Sequence, residues 1–557
     1  MTATAVAVVR SDTKGAFVAP LFFMSLALAA LGSRHGIVAL WAGSALAMAL
    51  AGISAARTAA RWSWLMSCVV AYVALVVSST LVLGPFYSPA GLYHPLLLLV
   101  AFLAVRRLGD RAERAAVVAV IAFAMILALW GAGEVGMQLE SRARAFLETP
   151  ATFAAVVNLA LAPILAAILM GARGWPLVML AMVLATGLFS ADSRGGLAAM
   201  GAGCVVAVIL ANRAARPRLR SFLVALGILA AGWTGAHALR SVPSDTVPPA
   251  APSAADRAAS SMSRLELFAL SFSAWKEQPA LGTGYLSYRY TLEQGRARVP
   301  SYGAENETWF VHNDYLQTLQ ELGPAGLLAF AGFTLLAPIL AYRRLRTLPA
   351  NARPGIVVAT SGLATMAVHA LVDFPFYVPL CLLLYGVLLG TLDRRLQGAS
   401  ATQTDSTDAS WHLVARAGIV TVAMIMLLRP VVAEAASARG LQALAAGHGQ
   451  VAAFWLGVAQ RVDAQDWRYH WQAGQFWDSQ AAESGRPEAA KLAVDAYQAG
   501  LTANPLEVKS LLGLISAHRR HRALLAAPAD ETTLRAWAGQ AAKLAPLHPG
   551  VRELASE

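Results

Sequence analysis

The chain has 557 residues, of which 57% are hydrophobic and only 14% are charged. Soluble globular proteins carry about 25% charged residues, so this composition excludes a water-soluble enzyme and a disordered chain. Basic residues outnumber acidic ones, 44 to 32, for a formal net charge of +12. Such a balance can indicate nucleic-acid binding, and the positions of the arginines decide whether it does here.

Apolar stretches recur from the N-terminus to about residue 430, and most are long enough to cross a bilayer as helices. The sequence therefore predicts an all-α, polytopic membrane protein of about 13 transmembrane helices, each needing about 20 mainly apolar residues. The predicted spans are 16–33, 36–56, 63–84, 91–105, 115–137, 150–172, 174–191, 195–212, 221–238, 322–342, 355–377, 378–392 and 413–432. Because further spans follow the first at once, we interpret it as a retained helix and not as a cleaved signal peptide.

Basic residues are concentrated in alternate loops between the predicted spans. The intervening short loops contain only Arg34, Arg142, Arg144 and Arg194. Because cytoplasmic loops carry the excess of basic residues, we expect a cytoplasmic N-terminus and a C-terminus outside, or in the periplasm of a cell with two membranes. Nineteen of the 44 basic residues then face membrane lipids on the cytoplasmic side, and no nucleic-acid partner is expected.

Two long segments face water on the outer side in this topology. The chain accordingly divides into spans one to nine at 1–238, a large outer loop at 239–321, spans ten to thirteen at 322–432 and an outer tail at 433–557. The first part of the loop, 241–261, is rich in proline, alanine and serine and is expected to be flexible. The second part, 262–321, mixes charged, aromatic and glycine residues and is expected to fold.

The tail is rich in alanine, with aromatic residues at helical spacing, and is predicted to be helical throughout. Its stretches AVDAYQAGLTANPLE (493–507) and AWAGQAAKLAPLHPG (536–550) each join a helical face to a proline-containing turn. They resemble tetratricopeptide-like helix pairs, although Pro505 and Pro546 are further apart than the usual period of about 34 residues. We expect a short helical-repeat domain that serves as a binding or assembly surface, with a protein as a possible partner.

The first of four polar clusters near the outer membrane face is DSRGG at 192–196, which contains Ser193 and Arg194. Arg194 breaks the alternation of basic loops. It either extends to the lipid headgroups or offers a fork of donors to a phosphate group, with the two glycines allowing close approach.

The second cluster lies in the outer loop and combines Arg264 with the turn at Gly282 and Gly284. Arg264 could equally pair with Glu266 or lie at the membrane interface. A lone G-x-G carries almost no specificity for phosphate or nucleotide, so this cluster alone identifies no ligand.

The third cluster is the richest and runs from Glu305 to the Gly323-Pro324 pair. His312 and Asn313 stand where a loop becomes a helix, and Asn313 is a suitable N-cap. An isolated histidine there would often be only a surface or capping group, but Asp314 and the other polar residues of the same turn favour a functional site.

The fourth cluster is His369 and Asp373, at the predicted outer end of the eleventh span. Residues four apart share one helical face and can hydrogen-bond. An ionisable pair at the membrane edge marks either a functional site or a structural pair, and the spacing does not separate the two.

Several common catalytic signatures do not occur in the sequence. There is no Walker loop, H-E-x-x-H, G-x-S-x-G or cysteine–histidine metal spacing, and no D-x-D motif. Cys68, Cys204 and Cys381 lie in apolar runs and are expected to be buried. We therefore expect no metal, no nucleotide and no other cofactor.

These motifs together resemble the O-antigen ligase/polymerase superfamily of bacterial envelope glycosyltransferases. The resemblance rests on HNDYLQTLQELGPAGLL (312–328), SMSRLELFALSFSAWKEQPALGTGYLSY (261–288) and DSRGG (192–196). HALVDFPFYVPL (369–380) is similar to a further segment of members with a C-terminal helical-repeat domain. The thirteenth span and the outer tail depart from the simplest ligases, which leaves the acceptor open.

The resemblance implies a multi-pass enzyme of the bacterial inner membrane that transfers or polymerises a glycan from an undecaprenyl-pyrophosphate carrier at the periplasmic face. Arg194 and Arg264 would hold the pyrophosphate without a metal. His312 would act as the general base near neutral pH, in a direct displacement that inverts the anomeric carbon. The orienting or sugar-binding residues would be Asn313, Asp314, Ser193, Gly282, Gly284, His369 and Asp373.

Three functions are compatible with these features. The acceptor could be a glycan or lipid, as for an O-antigen ligase or polymerase, or a pilin-like protein, as for a protein O-oligosaccharyltransferase. The third function is a non-enzymatic transporter or envelope scaffold whose tail docks partners. A transporter should carry ionisable residues at the middle of the membrane and an internal repeat of helices, whereas here the polar clusters gather at one face.

Overall fold

The computed structural model describes residues 17–54, 62–83, 89–215, 217–241, 254–299, 310–397 and 410–556. Over these ranges the protein forms α-helices joined by turns, three short 3-10 helices and no β-strand. The predicted all-α class is confirmed. Six of the described helices are long and apolar enough to cross a membrane, and four shorter ones are also apolar, as expected of a polytopic membrane protein.

The helices follow one another with short connections. They are α1 (Val18–His35), α2 (Val38–Ser54), α3 (Trp64–Leu83), α4 (Tyr93–Arg106), α5 (Asp110–Gly136), α6 (Pro150–Leu169), α7 (Trp175–Ser190), α8 (Arg194–Ala214), α9 (Leu219–Arg240), α10 (Ala254–Glu277), α11 (Tyr288–Gly295), α12 (Asp314–Arg344), α13 (Arg353–His369), α14 (Pro379–Gln397), α15 (Ser410–Ala445), α16 (Gly449–Val462), α17 (Trp467–Ser484), α18 (Pro487–Ala503), α19 (Val508–Arg520), α20 (Glu531–Leu544) and α21 (Pro549–Ser556).

Each predicted span coincides with one of the helices α1–α9 or α12–α15, although some boundaries differ. The eleventh span was predicted to reach residue 377, but α13 ends at His369 and a 3-10 turn covers Pro375–Tyr377. A helix does not continue as far as Pro375, because a residue before proline disfavours the helical conformation, and in the turn before it Asp373 accepts a hydrogen bond from the Phe374 N–H. The predicted end of this span is wrong, and the difference moves Asp373 off the helix.

The predicted flexible part of the outer loop is partly helical. Helix α10 begins at Ala254, inside the segment 241–261. The rest of that segment, 242–253, lies outside the described residues. Helix α10 lies after the last proline of this segment, Pro252, in a stretch without proline, which suits a helix because proline lacks the N–H that a helix interior needs.

Helix α6 lies at the centre of the membrane domain. Of its most apolar stretch, 89% is buried, and the helix packs against α7, α8, α13 and α14. Its sequence is apolar on every face, which is typical of a helix that is surrounded by others. Its one amide side chain, Asn158, donates to the carbonyl of Gly196 at 2.8 Å, so the central helix also fixes the first turn of α8.

Buried ion pairs join the ends of three helices at the predicted cytoplasmic side. Arg106 of α4 contacts Asp393 of α14 at 2.5 Å, and the Arg106 side chain is 1% exposed. Glu113 of α5 accepts from both Arg394 and Arg395 of α14. Part of the positive charge that we assigned to the lipid surface therefore holds helix ends together.

Helix α12 contains a break that separates an outer segment from a membrane segment. Gly323 has φ +67° and ψ −170° inside the helix, next to Pro324, at the pair predicted to start the tenth span. A Cβ at Gly323 would lie 2.4 Å from the carbonyl oxygen of Ala280. The absence of a side chain lets the turn after α10 pack directly against the end of the outer segment, 314–322.

The tail is a series of short helices, α16–α21, each packed on its neighbours. Both predicted stops are confirmed, since α18 ends at Ala503 before the turn at Pro505 and α20 ends at Leu544 before Pro546. The tail also contacts the outer loop. Asn504 donates to the Tyr290 hydroxyl of α11 at 2.7 Å, and this contact is buried.

Candidate active site

The start of α8 is the first part of the site. Ser193 is the N-cap, and its hydroxyl accepts from the Gly196 N–H at 3.1 Å. Asp192 before it has φ +45°, a backbone conformation that costs a non-glycine residue about 1–3 kcal/mol. The first N–H groups of a helix have no partner within it, and together with the helix dipole they favour an anion.

Arg142 reinforces this turn from the loop between α5 and α6. Its guanidinium donates to the carbonyls of Ala191 and Asp192, at 3.0 Å and 2.9 Å. The sequence marked Arg142 only as one of the few basic residues of the outer loops and gave it no role in the site. Its position in an outer loop, against the charge pattern, was the signal that could have identified it as a site residue, because an arginine there needs a polar or anionic partner.

A cavity of about 270 Å³ opens beside this turn. Three arginines line it, Arg142, Arg194 and Arg264, each from a different element of the fold. Its full lining comprises Arg142, Thr149, Pro150, Ala151, Asp192, Ser193, Arg194, Gly195, Arg264, His312, Val372, Asp373 and Phe374. The structure thus brings together the three predicted catalytic residues, although 118 positions of sequence separate Arg194 from His312.

His312 and Asp373 form a hydrogen-bonded pair in the wall of this cavity. The Nδ1 atom of His312 lies 3.1 Å from the Oδ1 atom of Asp373, with the side chains 20% and 9% exposed. The His312 backbone has φ +60°, and the edge of its ring meets Phe374 at a centroid distance of 5.0 Å. A proton on Nδ1, donated to the carboxylate, leaves Nε2 as the nitrogen that accepts a proton.

The Asp373 carboxyl is held in its ionised form. Burial alone would raise its pKa, but hydrogen bonding from His312 and the proximity of His369 lower the pKa below the usual range. The Phe374 N–H donates at 3.0 Å to the Oδ1 atom of Asp373, the oxygen that also contacts His312. A fixed negative charge therefore stands behind the imidazole of His312, an arrangement that orients a general base and stabilises its protonated form.

A comparison with known protein families finds a match in the middle of the chain. Residues 177–331 match the family model described as O-antigen ligase. The chain carries an O-antigen ligase domain. The match covers little more than a quarter of the chain's length. No curated protein matches the chain.

The cavity of the ligase domain draws residues from both sides of the matched segment. Arg194, Arg264 and His312 lie inside 177–331, whereas Arg142 precedes it and Asp373 follows it. The parts of the chain outside the matched segment therefore complete the site.

His369 does not make the predicted hydrogen bond to Asp373. Its Nε2 lies 3.7 Å from the Oδ2 atom, beyond hydrogen-bonding distance, and Asp373 pairs with His312 instead. The reason is that α13 ends at His369, so the turn of the following residues aims the carboxylate toward His312. His369 is buried beside Gly195, whose Cβ position would be 3.5 Å from its Nε2, and does not line the cavity.

Asn313 and Asp314 make structural hydrogen bonds at the start of α12. Asn313 is the N-cap, as predicted, and accepts from the Leu316 N–H at 3.0 Å. The Asp314 N–H donates to the Ala370 carbonyl at 2.8 Å, and the carboxylate accepts from the Phe376 N–H at 2.9 Å. Neither residue lines the cavity. They clamp α12 to the turn at 370–376, and this clamp places His312 beside Asp373.

Gly282 and Gly284 lie at the other end of the outer segment 314–322. Gly282 has φ +75°, and a Cβ there would approach the Gln320 carbonyl oxygen to 2.6 Å. The Gly284 N–H donates to the Glu321 carbonyl at 2.9 Å. The described geometry gives both glycines a packing role, and they do not line the cavity with the three arginines. Of the predicted binding residues, Ser193 and Asp373 do line it.

Proposed function

We propose that the protein transfers or polymerises an oligosaccharide from undecaprenyl pyrophosphate onto an acceptor hydroxyl at the periplasmic face of the bacterial inner membrane. One observation carries this proposal. A single cavity of the ligase domain contains three arginines and a histidine–carboxylate pair. The arginines suit a pyrophosphate and the pair suits the removal of a proton from a hydroxyl, which are the two needs of this transfer.

The pyrophosphate is the leaving group, and it develops negative charge as the glycosidic bond breaks. Arg142, Arg194 and Arg264 supply positive charge at fixed positions, and guanidinium groups bind phosphate oxygens in pairs. The first turn of α8 adds backbone donors. Charge placed where it develops in the transition state is commonly the largest single contribution to catalysis, and we propose that these groups provide it without a metal.

The acceptor hydroxyl must lose its proton as it attacks. We assign this proton to Nε2 of His312, with Asp373 stabilising the imidazolium that results. The hydroxyl oxygen forms a bond to the anomeric carbon, the bond from that carbon to the pyrophosphate oxygen breaks, and the lipid pyrophosphate leaves with the electron pair. Attack from the face opposite the leaving group inverts the anomeric configuration.

A protein acceptor is the second candidate, and the tail favours it. Helices α16–α21 are arranged as packed neighbours, as in repeat proteins that bind other proteins. A pilin-like protein could be recruited there and glycosylated on a hydroxyl side chain by the same chemistry. The two candidates share the donor and the catalytic groups and differ in the acceptor alone.

Complementation of a deletion strain tests the proposal. The variants are His312→Ala, Arg194→Ala and Arg264→Ala. Arg144→Ala is the matched control, because Arg144 is also on the outer side but does not line the cavity. Surface polysaccharide and glycosylated protein are both measured, with membrane levels of each variant. We expect the first three variants to abolish or strongly reduce one product and the control to restore it. Full restoration by all three at normal protein levels would refute the assignment.

A further inference from the structure

A second cavity, of about 460 Å³, lies between the outer loop and the tail. It shares no lining residue with the cavity of the three arginines. Most of its hydrogen-bonding side chains are uncharged, and among them are Ser273, Gln278, Ser287, Thr291 and Gln294. Apolar contacts come from Leu83, Leu270 and Leu506 and from the Tyr290 ring. The charged groups at its edge are Glu277 and Arg298, which balance each other in sign.

The tail supplies one wall of this second cavity. Pro505 and Leu506, in the turn between α18 and α19, line it. Two buried hydrogen bonds fix the turn on α11, one from the Asn504 amide to the Tyr290 hydroxyl at 2.7 Å and one from that hydroxyl to Glu507 at 3.3 Å. Because Asn504 and Glu507 are 1% and 2% exposed, the wall is held in place before anything binds.

The second cavity is connected to the segment that begins next to His312. Gln320, at the far end of the outer segment 314–322, is fully buried. Its amide nitrogen donates to Thr291 at 2.8 Å, and its oxygen accepts from Ser271 at 2.6 Å. A helix rises about 1.5 Å per residue, so the six residues from Asp314 to Gln320 cover about 9 Å.

We propose that the second cavity binds an uncharged segment of the acceptor glycan. This inference rests on the proposed function. Hydroxyl and amide side chains match the alternating donors and acceptors of sugar hydroxyls, and the leucine and tyrosine surfaces match the C–H faces of sugar rings. A cavity of several hundred Å³ with a few placed polar groups is typical of ligand sites. The tail thereby contributes to acceptor recognition.

Two bulky substitutions on α10 test the inference. Ser273→Trp fills the cavity, and Lys276→Trp is the matched control on an exposed position of the same helix that does not line it. Gln294→Ala is a milder variant that removes one hydrogen-bonding group without filling space. Each is made in the full-length protein in detergent, and folding is checked by thermal unfolding. The probe is the oligosaccharide that mild acid releases from the surface polysaccharide of the producing strain, which contains the acceptor glycan.

We expect Ser273→Trp to weaken binding of this probe by at least about tenfold, since the indole displaces several hydrogen bonds between the sugar and the cavity. In the transfer reaction it should raise the KM for the acceptor and leave kcat and the KM for the lipid-linked donor near their original values. A change confined to the donor KM would contradict the acceptor assignment.

His312→Ala separates this inference from the proposed function. It should abolish transfer and still bind the probe as tightly as the unchanged protein. If Ser273→Trp and Gln294→Ala bind the probe like Lys276→Trp while His312→Ala is inactive, the acceptor site is refuted and the proposed function stands. If His312→Ala remains fully active, the proposed function is refuted instead.

Discussion

Replacing Asp373 by asparagine isolates the part played by its negative charge. The amide has the same shape as the carboxylate and can still accept from the Phe374 N–H and from Nδ1 of His312. It cannot stabilise the imidazolium that forms when His312 takes the acceptor proton. The effect should therefore appear in kcat and little in KM, because the interaction strengthens only as the reaction proceeds.

The size of the effect follows from the contact itself. The nitrogen–oxygen distance is 3.1 Å and the carboxylate side chain is 9% exposed, so solvent screens the pair little. A hydrogen bond to a charged group contributes about 1.5–3 kcal/mol. Since about 1.4 kcal/mol corresponds to tenfold in rate, Asp373→Asn should lower kcat by about 10–100-fold. General-base catalysis as a whole contributes about 10²–10⁴-fold, so His312→Ala should cost more.

The assay measures transfer from the lipid-linked donor by purified protein in detergent. Glu140→Gln, a carboxylate change on the same outer side and outside the cavity, controls for general effects of charge. In the double variant, Asp373→Asn should add nothing to His312→Ala. Independent, multiplied losses would refute the idea that Asp373 acts through His312.

Three further outcomes are expected. Arg264→Ala should raise the KM for the lipid-linked donor by about 10–100-fold in the same assay, through loss of a charged hydrogen bond. Arg264→Lys should restore only part of the affinity for the donor. An unchanged KM would remove Arg264 from the donor site. Gly282→Ala should lower the unfolding temperature, because its φ of +75° and its close contact with Gln320 would cost about 1–3 kcal/mol of strain. Gly201→Ala is the control, since a Cβ there meets nothing within 4 Å, and it should be neutral or stabilising. Equal shifts of the two unfolding temperatures would contradict this. Burial raises the pKa of Asp463 to about 6 from its usual 3.8, so the folded state binds more protons between these values and stability falls as pH rises through that window. Asp463→Asn should accordingly gain up to about 3 kcal/mol over the unchanged protein between pH 4 and pH 6, measured by thermal unfolding, and a gain that does not grow with pH would refute this reasoning.

The elements of the fold were predictable because they depend on local pattern. Apolar runs predicted the membrane helices, and Asn313 as N-cap and Gly323-Pro324 as a break are confirmed. These features need only neighbouring residues to form, so a single sequence contains the information. The end of α13 was missed for a related reason. Its apolar run continues past His369, and the turn depends on where Pro375 and Asp373 find contacts.

The pairing within the site was not predictable in the same way. Spacing favoured His369 as the partner of Asp373, whereas the observed partner, His312, is 61 positions away. The contact depends on Asp314 binding the turn after α13, which is a tertiary interaction with no local signature. Arg142 was missed similarly, since its partners are the carbonyls of Ala191 and Asp192, and any residue at those positions would offer the same carbonyls.

The contact between Tyr290 and the turn at 504–507 also sets an order of assembly. A chain is made from its N-terminus, so Arg142, Arg194, Arg264, His312 and Asp373 are all inserted before the tail exists. The cavity of the three arginines can therefore form first. The second cavity gains its last wall only when the turn near Pro505 has been synthesised and packs on α11. An incompletely synthesised or C-terminally clipped chain would keep its chemical groups and lack that wall. The wall that the tail supplies is thus the last part of the second cavity to form.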